Sequence, residues 1–399
     1  MRAGWTWLAL FGGMQALGQT SVAVADPSAF QVRLRGVIQA DGRAYPDNAP
    51  PVPSSFLVRR ARIYIEGTVA DFADFRIMPD FGEGKLQLLD AFVDLHPKQV
   101  EWVALRAGKF KSPFGLERLR AEQSLSFIER GLPTNLVPDR DIGVSLHGRA
   151  GGGRLSYELA VVDGAPDGAN VDGDVDGEKD VVARVFSEPF RSLGIRALEK
   201  FGIGVAGTYG RERGSAANPL LPSYRTGGQQ IFFSYRTGAL AAGEHFRFSP
   251  QAYESLGPVS LLLEAVVTSQ EARTSSAHAR VVNHAAQVEV TVVLTGERPT
   301  SEGLQPAHPF DGTVAHAGAL ELVGRYGRLR VGDAAFPVYV DPATSAREAE
   351  GWTAGFNWYL TSHAKVAANF ERTTFLGGAA RGLNRPGENA LLGRLQASF

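Results

Sequence analysis

Apolar and polar residues alternate along most of this chain. From Phe30, the residues Phe30, Val32, Leu34, Gly36 and Ile38 fall on one parity. Gln31, Arg33, Arg35, Val37 and Gln39 fall on the other. After Phe56, the residues Leu57, Ala61, Ile63 and Ile65 share a face, and Arg60, Arg62, Tyr64 and Glu66 share the opposite one. Arg59 interrupts the apolar face near its end, where a long side chain can snorkel toward an interface. From Gln87, the residues Leu89, Ala91, Val93 and Leu95 alternate with Leu88, Asp90, Phe92 and Asp94. Late in the chain, Phe356, Trp358 and Leu360 alternate with Asn357 and Tyr359, and Val366, Ala368 and Phe370 with Lys365, Ala367, Asn369 and Glu371. The last residues do the same, with Leu391, Gly393, Leu395, Ala397 and Phe399 on one parity. A period of two predicts strands with one apolar and one wet environment.

That period fits a soluble sandwich with apolar residues inside and a membrane barrel with apolar residues outside. Three features favour the barrel. The strands are long, about ten residues, as a tilted crossing of a bilayer requires. Arginines crowd the polar faces, while Trp352, Trp358, Tyr359 and Phe399 sit near strand ends like an aromatic girdle. The chain also stops on Phe399, inside an alternating strand. At roughly ten residues per strand plus turns and loops, about 16 antiparallel strands fit the length. Loops are expected over 41–55, 112–141, 163–180, 210–224 and 296–312, where Pro, Gly, Asp, Asn and Ser gather.

Composition narrows the field. The formal net charge of −1 gives no general pull toward nucleic acid. There is no cysteine, so no disulfide holds the fold. A mean hydropathy of −0.10 is too low for a bundle of membrane helices, and no stretch after the N-terminus is apolar for 18 residues. The N-terminus reads as a secretion signal: Arg2, a mostly apolar run from Trp5 to Leu17, then Ala23-Val24-Ala25 as a cleavage site. Residues 1–25 are therefore expected to be a signal peptide and 26–399 an exported outer-membrane barrel.

Three stretches resemble the phosphate-selective porin O and P family. The most specific runs from Leu105 through Lys109-Phe110-Lys111-Ser112-Pro113-Phe114-Gly115, Phe127-Ile128-Glu129-Arg130 and Leu132-Pro133-Thr134-Asn135 to Arg140-Asp141-Ile142-Gly143. The second is Leu320-Glu321-Leu322-Val323-Gly324-Arg325-Tyr326. The third is Gly355-Phe356-Asn357-Trp358-Tyr359-Leu360, with Ala390 to Gln396 before Phe399. The resemblance implies an all-β transmembrane barrel of 16 strands that assembles as a homotrimer. It also implies a third loop, after Lys111, folded into the lumen, and a lumen with arginines along the wall and lysines near the narrowest point. Phe399 resembles the signal read by the outer-membrane assembly machinery. Lipid and lipopolysaccharide are the expected surroundings and phosphate an expected solute.

A pore needs fixed charge at a constriction, and Arg suits oxyanions because its fork donates parallel hydrogen bonds. Parity puts Arg33, Arg35, Arg60, Arg62 and Tyr64 on the wet face, with Asp90 on a neighbouring strand to keep binding weak enough for release. Arg106 is a lumen residue by pattern alone. Lys109 and Lys111 are ion-pathway residues by resemblance, because parity gives them the apolar face of Leu105 and Ala107. An arginine on an inner wall also serves simply to pair with acids and hold the wall in shape. Asp172-Gly173-Asp174-Val175-Asp176-Gly177 imitates a calcium loop, but position twelve is Ala183 instead of Glu. Gly202 to Gly207 contains G-x-G-x-x-G inside an alternating strand, without the strand-turn-helix context of a nucleotide site. The eight histidines include no H-E-x-x-H. No cofactor, metal or catalytic group is expected. The reading is a diffusion pore for small hydrophilic solutes with a preference for anions. Its rivals are a general or cation-leaning porin, and a non-conducting barrel acting as adhesin or enzyme.

Overall fold

The computed structural model describes residues 21–23, 30–46, 53–97, 100–195, 197–300, 303–313 and 316–399. Sixteen strands follow one another: β1 (Phe30–Ala44), β2 (Ser55–Val69), β3 (Ala73–Asp80), β4 (Gln87–Leu95), β5 (Ala104–Lys111), β6 (Arg140–Ala150), β7 (Leu155–Val162) and β8 (Asp180–Ser187). The second half comprises β9 (Gly202–Arg213), β10 (Leu240–Leu256), β11 (Val259–Arg273), β12 (His278–Val293), β13 (Ala319–Arg330), β14 (Ala346–Tyr359), β15 (Ala364–Gly377) and β16 (Glu388–Ser398). Each pairs antiparallel with the next, and β16 closes on β1 through Leu391–Ala44 to Ser398–Val37. Closure leaves no unpaired edge, which a bilayer demands of any sheet that crosses it. A short strand, Ser21–Ala23, pairs with Gln31–Arg33. The rest of the expected secretion signal lies outside the described residues.

The burial pattern decides between sandwich and membrane barrel. Leu34, Ile38, Ile63, Val93, Leu105 and Phe370 are exposed on the outside, whereas Gln39, Asp41, Arg60, Arg62, Glu264, Glu289 and Arg394 are buried within. That is the inverted arrangement of a barrel in lipid. The connections alternate between two ends. The end with Phe399 has turns as tight as 257–258 and 360–363, and the other carries 112–139, 163–179 and 214–239. Short turns mark the periplasmic end and long loops the outer end. The connections 188–201 and 294–318 are exceptions: both are long and sit at the turn end, and Gly303 of the second lies against Ser124 of the 112–139 connection.

Two bulges correct the parity reading. In β2 the register shifts so that Gln39 faces Arg60 and Ala40 faces Val58, leaving Arg59 as the extra residue. Arg59 therefore turns inward instead of snorkelling to an interface, Leu57 leaves the outward set, and Phe56 and Val58 are exposed outside. In β4, Met78 faces Asp90 and Pro79 faces Leu88, so Leu89 is the extra residue. Leu89 is buried with Val37, Tyr64 and Met78, while Leu88 points out. One inserted residue reverses every side chain beyond it. Tyr359 also departs from the aromatic girdle: it is buried, and its hydroxyl donates to Glu321 Oε2 at 3.0 Å.

The seam is sealed at Phe399. Its backbone exchanges two hydrogen bonds with Gly36, at 2.9 and 3.0 Å, and its ring lies where a Gly36 side chain would be. Glycine at 36 is required by that approach. The G-x-G-x-x-G stretch lies within β9, as regular strand.

Candidate functional site

The connection 112–139 is the longest between barrel strands at the outer end, and its hydrogen bonds go to inward-facing side chains around the barrel. It holds one helical turn, Leu116–Leu119, and two 3₁₀ turns. On one side, Glu264 of β11 accepts from the backbone of Leu116 and Glu117, at 2.5 and 3.3 Å. Gln287 donates to Glu117 at 3.0 Å, Asn357 to Ser126 O at 2.7 Å, and Lys365 to Leu125 O at 2.8 Å. Asn369 accepts from Ile128 N at 2.8 Å. Arg325 donates to Glu129 O at 3.0 Å and lies 4.4 Å from the Phe127 ring centre. Gly131 sits against the Gln287 amide, where a Cβ would collide with it.

On the opposite side the segment meets arginines. Arg59 donates to Glu129 at 2.6 and 3.1 Å, and Arg43 at 3.0 Å. Arg140 binds Asp139 at 2.9 Å and Asp90 at 3.2 Å. Glu122 is approached by Arg62 at 2.8 Å, Arg130 at 3.3 Å, and Lys111 and Arg140 at 3.6 Å each. Burial pushes these three carboxyls up, but the surrounding cations win. Lys111, Arg62, Arg140 and Arg130 hold Glu122 well below the usual carboxylate range. Arg59 does the same for Glu129, and Arg140 with Arg118 for Asp139.

Two cavities flank this cluster. The outer one, about 670 Å³, is lined by Arg59, Arg60, Arg62, Lys85, Arg118, Arg130 and Arg140 together with Asp80, Glu83, Glu122, Glu129 and Asp139. The inner one, about 250 Å³, is lined by Tyr64, Arg76, Asp90, Arg106, Lys111, Glu122, Arg140 and Glu158. Glu122 and Arg140 line both, so they stand where the two chambers meet.

The residues singled out by sequence distribute around this path. Arg60 donates to Gln39 at 2.7 Å and makes no ion pair among the described residues. Arg62 joins Asp80, at 2.7 Å, to Glu122. Tyr64 lines the inner chamber with its hydroxyl unpaired. Asp90 bridges Arg76 and Arg140. Arg106 binds Asp94 at 2.7 Å, which also holds His147 at 2.9 Å. Lys111 donates to the carbonyls of Arg118 and Arg120, at 2.9 Å each. Arg35 pairs with Glu66 near the turn end, and Arg33 is exposed there. Lys109 follows the outward parity of Leu105 and Ala107, and its ammonium pairs with Asp172 of the 163–179 loop. That loop's Asp174 is spent on Lys179 and two backbone amides, at 3.0 and 2.7 Å. Sequence reasoning missed Arg59, Arg118, Glu122, Glu129, Arg130, Asp139 and Arg140. Glu129, Arg130 and Arg140 lay in the resembling stretch, but parity gives no direction to Glu129 and Arg130 outside a regular strand, and Arg140 is the first residue of β6, at the very edge of its pattern.

A hairpin at the outer mouth covers the remaining space. Ser223–Arg225 pairs with Ile231–Ser234, and Tyr224, Phe232 and Phe233 are fully buried in one apolar cluster with Leu329, Phe336 and Phe375. Thr226 donates to Glu388 at 2.8 Å, and Asn135 to Arg225 O at 2.9 Å.

The fold is shared with solved outer-membrane channels. DcaP of Acinetobacter baumannii aligns with a TM-score of 0.60 at 12% identity, over 94% of this chain and 99% of that one. An anion-selective porin from Comamonas acidovorans aligns at 0.58 and 11%, over 93% and 100%. The trimer form of OmpT from Vibrio cholerae aligns at 0.55 and 12%, over 93% and 100%. At such identities the likeness is one of fold. No curated protein matches the sequence. The family described as phosphate-selective porin O and P matches residues 30–399, and the chain, a closed sixteen-stranded barrel with a polar lumen, belongs to that family of outer-membrane porins.

Proposed function

We propose that this porin is a diffusion channel that prefers anions, phosphate among them, and that 112–139 is its third loop, folded into the lumen to set the width. The observation that carries this reading is the junction of the two chambers, where four cations converge on one carboxylate. Lys111 and Arg130 have no other carboxylate partner among the described residues. Low-dielectric walls focus the surplus positive charge on passing solutes. Asp80, Asp90 and Asp139 with Glu122 balance the four cations at the junction itself, so the surplus comes from the wider lining of the outer chamber, where Arg59, Arg60, Lys85 and Arg118 join them, and that balance allows release as well as entry. Arg33 and Arg35 supply a screened field at the periplasmic turn end, and Arg60, Arg62, Arg106 and Lys111 act along the path. Lys109 anchors the 163–179 loop.

The same reading has residues 1–25 directing export and Phe399 presenting the last strand to the assembly machinery. Three copies associate, surrounded by lipid and lipopolysaccharide. The trimeric OmpT and the anion-selective porin among the structural neighbours point the same way. The chain acts as a channel and carries out no bond chemistry.

Purified protein in a planar bilayer under a KCl gradient tests this. Stepwise conductance with a reversal potential on the chloride side is expected. A potassium-side potential would leave a porin without anion preference. A folded barrel that does not conduct would favour an adhesin or enzyme.

A further inference from the structure

The junction contains a carboxylate at the place where a permeating oxyanion is expected. Glu122 is 3% exposed and borders both chambers. Each wall arginine beside it divides its nitrogens in the same way. Arg62 gives Nε to Asp80 and turns Nη1 to Glu122, 2.8 Å away. Arg140 gives Nε to Asp90 and Nη1 to Asp139, and turns Nη2 to Glu122 at 3.6 Å. Lys111 and Arg130 add an ammonium and a guanidinium at 3.6 and 3.3 Å.

The carboxylate does not satisfy this donor set. Arg62 Nη1 and Arg140 Nη2 are buried without a well-formed hydrogen bond. A carboxylate is planar and offers two oxygens, whereas these donors approach from four side chains on β2, β5, β6 and the loop. A tetrahedral oxyanion offers oxygens in as many directions, and guanidinium forks match its edges. Buried donors left without acceptors favour any ligand that completes them.

We propose that the Glu122 carboxylate is a tethered occupant of an oxyanion site formed by Arg62, Lys111, Arg130 and Arg140, and that phosphate crosses the junction by exchanging with it. The proposal rests on the anion-channel reading and adds the residue that sets affinity there. A vacant site would hold phosphate tightly and slow its release. The resident carboxylate competes for the same donors, so a passing anion is bound weakly and let go. Conduction needs that balance.

The test compares full-length wild type with Glu122→Gln and Glu122→Ala in planar bilayers, measuring chloride conductance as inorganic phosphate is added. Glu122→Gln keeps the shape of the side chain, so it remains informative where the alanine variant does not assemble. Glu122→Gln is expected to be half-blocked at about tenfold lower phosphate than wild type, and Glu122→Ala at least as low. Glu129→Gln makes the same charge change in the outer chamber, at a carboxylate paired with Arg43 and Arg59 and with none of the four donors among the described residues. It should raise chloride preference and move the half-blocking concentration far less. Equal sensitivity in wild type and the Glu122 variants overturns the proposal while a chloride-side reversal potential keeps the anion reading. Equal shifts for the Glu122 and Glu129 variants also overturn it, reducing Glu122 to general charge. A wild type that prefers potassium removes the reading and the proposal together.

Discussion

The loop 112–139 has two unlike faces. Toward β1–β6 it presents acids to a wall of arginines: Glu122, Glu129 and Asp139 meet Arg43, Arg59, Arg62 and Arg140. Toward β11–β15 the wall carries both signs. That wall supplies Glu264, Glu289 and Glu371, the loop supplies Glu117 and backbone N–H groups, and Arg325 is shared among Glu117, Glu289 and Glu371 at 3.4 to 3.7 Å. Amides of Gln287, Asn357 and Asn369 complete the second face. The first face borders the two chambers, and the hairpin 223–234 caps the second with its aromatic cluster while Ser223, Arg225, Thr226 and Gln229 line the outer chamber. The contrast teaches that one barrel serves two purposes. Charge pairs that exchange partners suit a path for ions, and hydrogen-bonded backbone suits a fixed support.

The largest effect should come from opening the supported side. Replacing residues 223–234 by a short Gly-Ser linker removes Tyr224, Phe232 and Phe233 from the outer mouth. Single-channel conductance should rise several-fold, and an unchanged conductance would mean that the hairpin is not a cap.

Next in size is the path itself. Arg60→Ala with Arg62→Ala removes two cations and leaves Asp80 and Glu122 short of a partner. The reversal potential should move toward potassium, while heat-modifiable gel migration reports that the barrel is still folded. Folded protein with an unmoved potential would take both arginines out of selectivity.

A smaller effect is expected from Asn369→Ala, which strips one loop hydrogen bond on the support face. Leaving Ile128 N buried without an acceptor costs about 1–3 kcal/mol. The melting temperature should fall with no change in ion preference. A changed preference would merge the two faces into one.

The smallest effect is expected from mild acid. The surrounding cations depress Glu122, Glu129 and Asp139 below their unfolded values. Their stabilising contribution is therefore complete above the ordinary carboxylate range and is lost only as pH falls through the depressed values. Reversal potentials taken from pH 7 down to about 4.5 should coincide as far as these three anchors govern them. A drift toward chloride in that window that disappears when Glu122→Gln, Glu129→Gln and Asp139→Asn are combined would mean that they protonate early.

Much of this was legible in the sequence, and the exceptions have physical causes. Alternation gave the wall residues directly: Leu34 and Ile38 outside, Gln39 inside, and likewise Phe370 against Asn369. It failed at Arg59 and Leu89 because a bulge inserts one residue and nothing in local composition marks the place. Alternation had placed Tyr359 with Asn357 on the wet face, and it was the girdle assignment that failed there, because an aromatic at a strand end is equally at home at an interface and inside with a carboxylate partner. The cluster around Glu122 was the least legible part. Glu122 and Arg140 meet through contacts between distant segments, and a loop has no parity to orient it. The family resemblance located the loop, but only the folded chain brings Arg62, Lys111, Arg130 and Arg140 around one carboxylate.

The proposed path for ions runs along the arginine face and not along the support face. The chain has no cysteine, so single thiols can be placed cleanly. Gln87, which lines the outer chamber, and Thr373, buried on β15, mark the two sides. The decisive measurement is the block of single-channel current by a negatively charged thiol reagent in Gln87→Cys and Thr373→Cys. Gln87→Cys should lose current in rapid steps and Thr373→Cys should lose none. Equal block at both positions, or block at Thr373→Cys alone, would contradict that path.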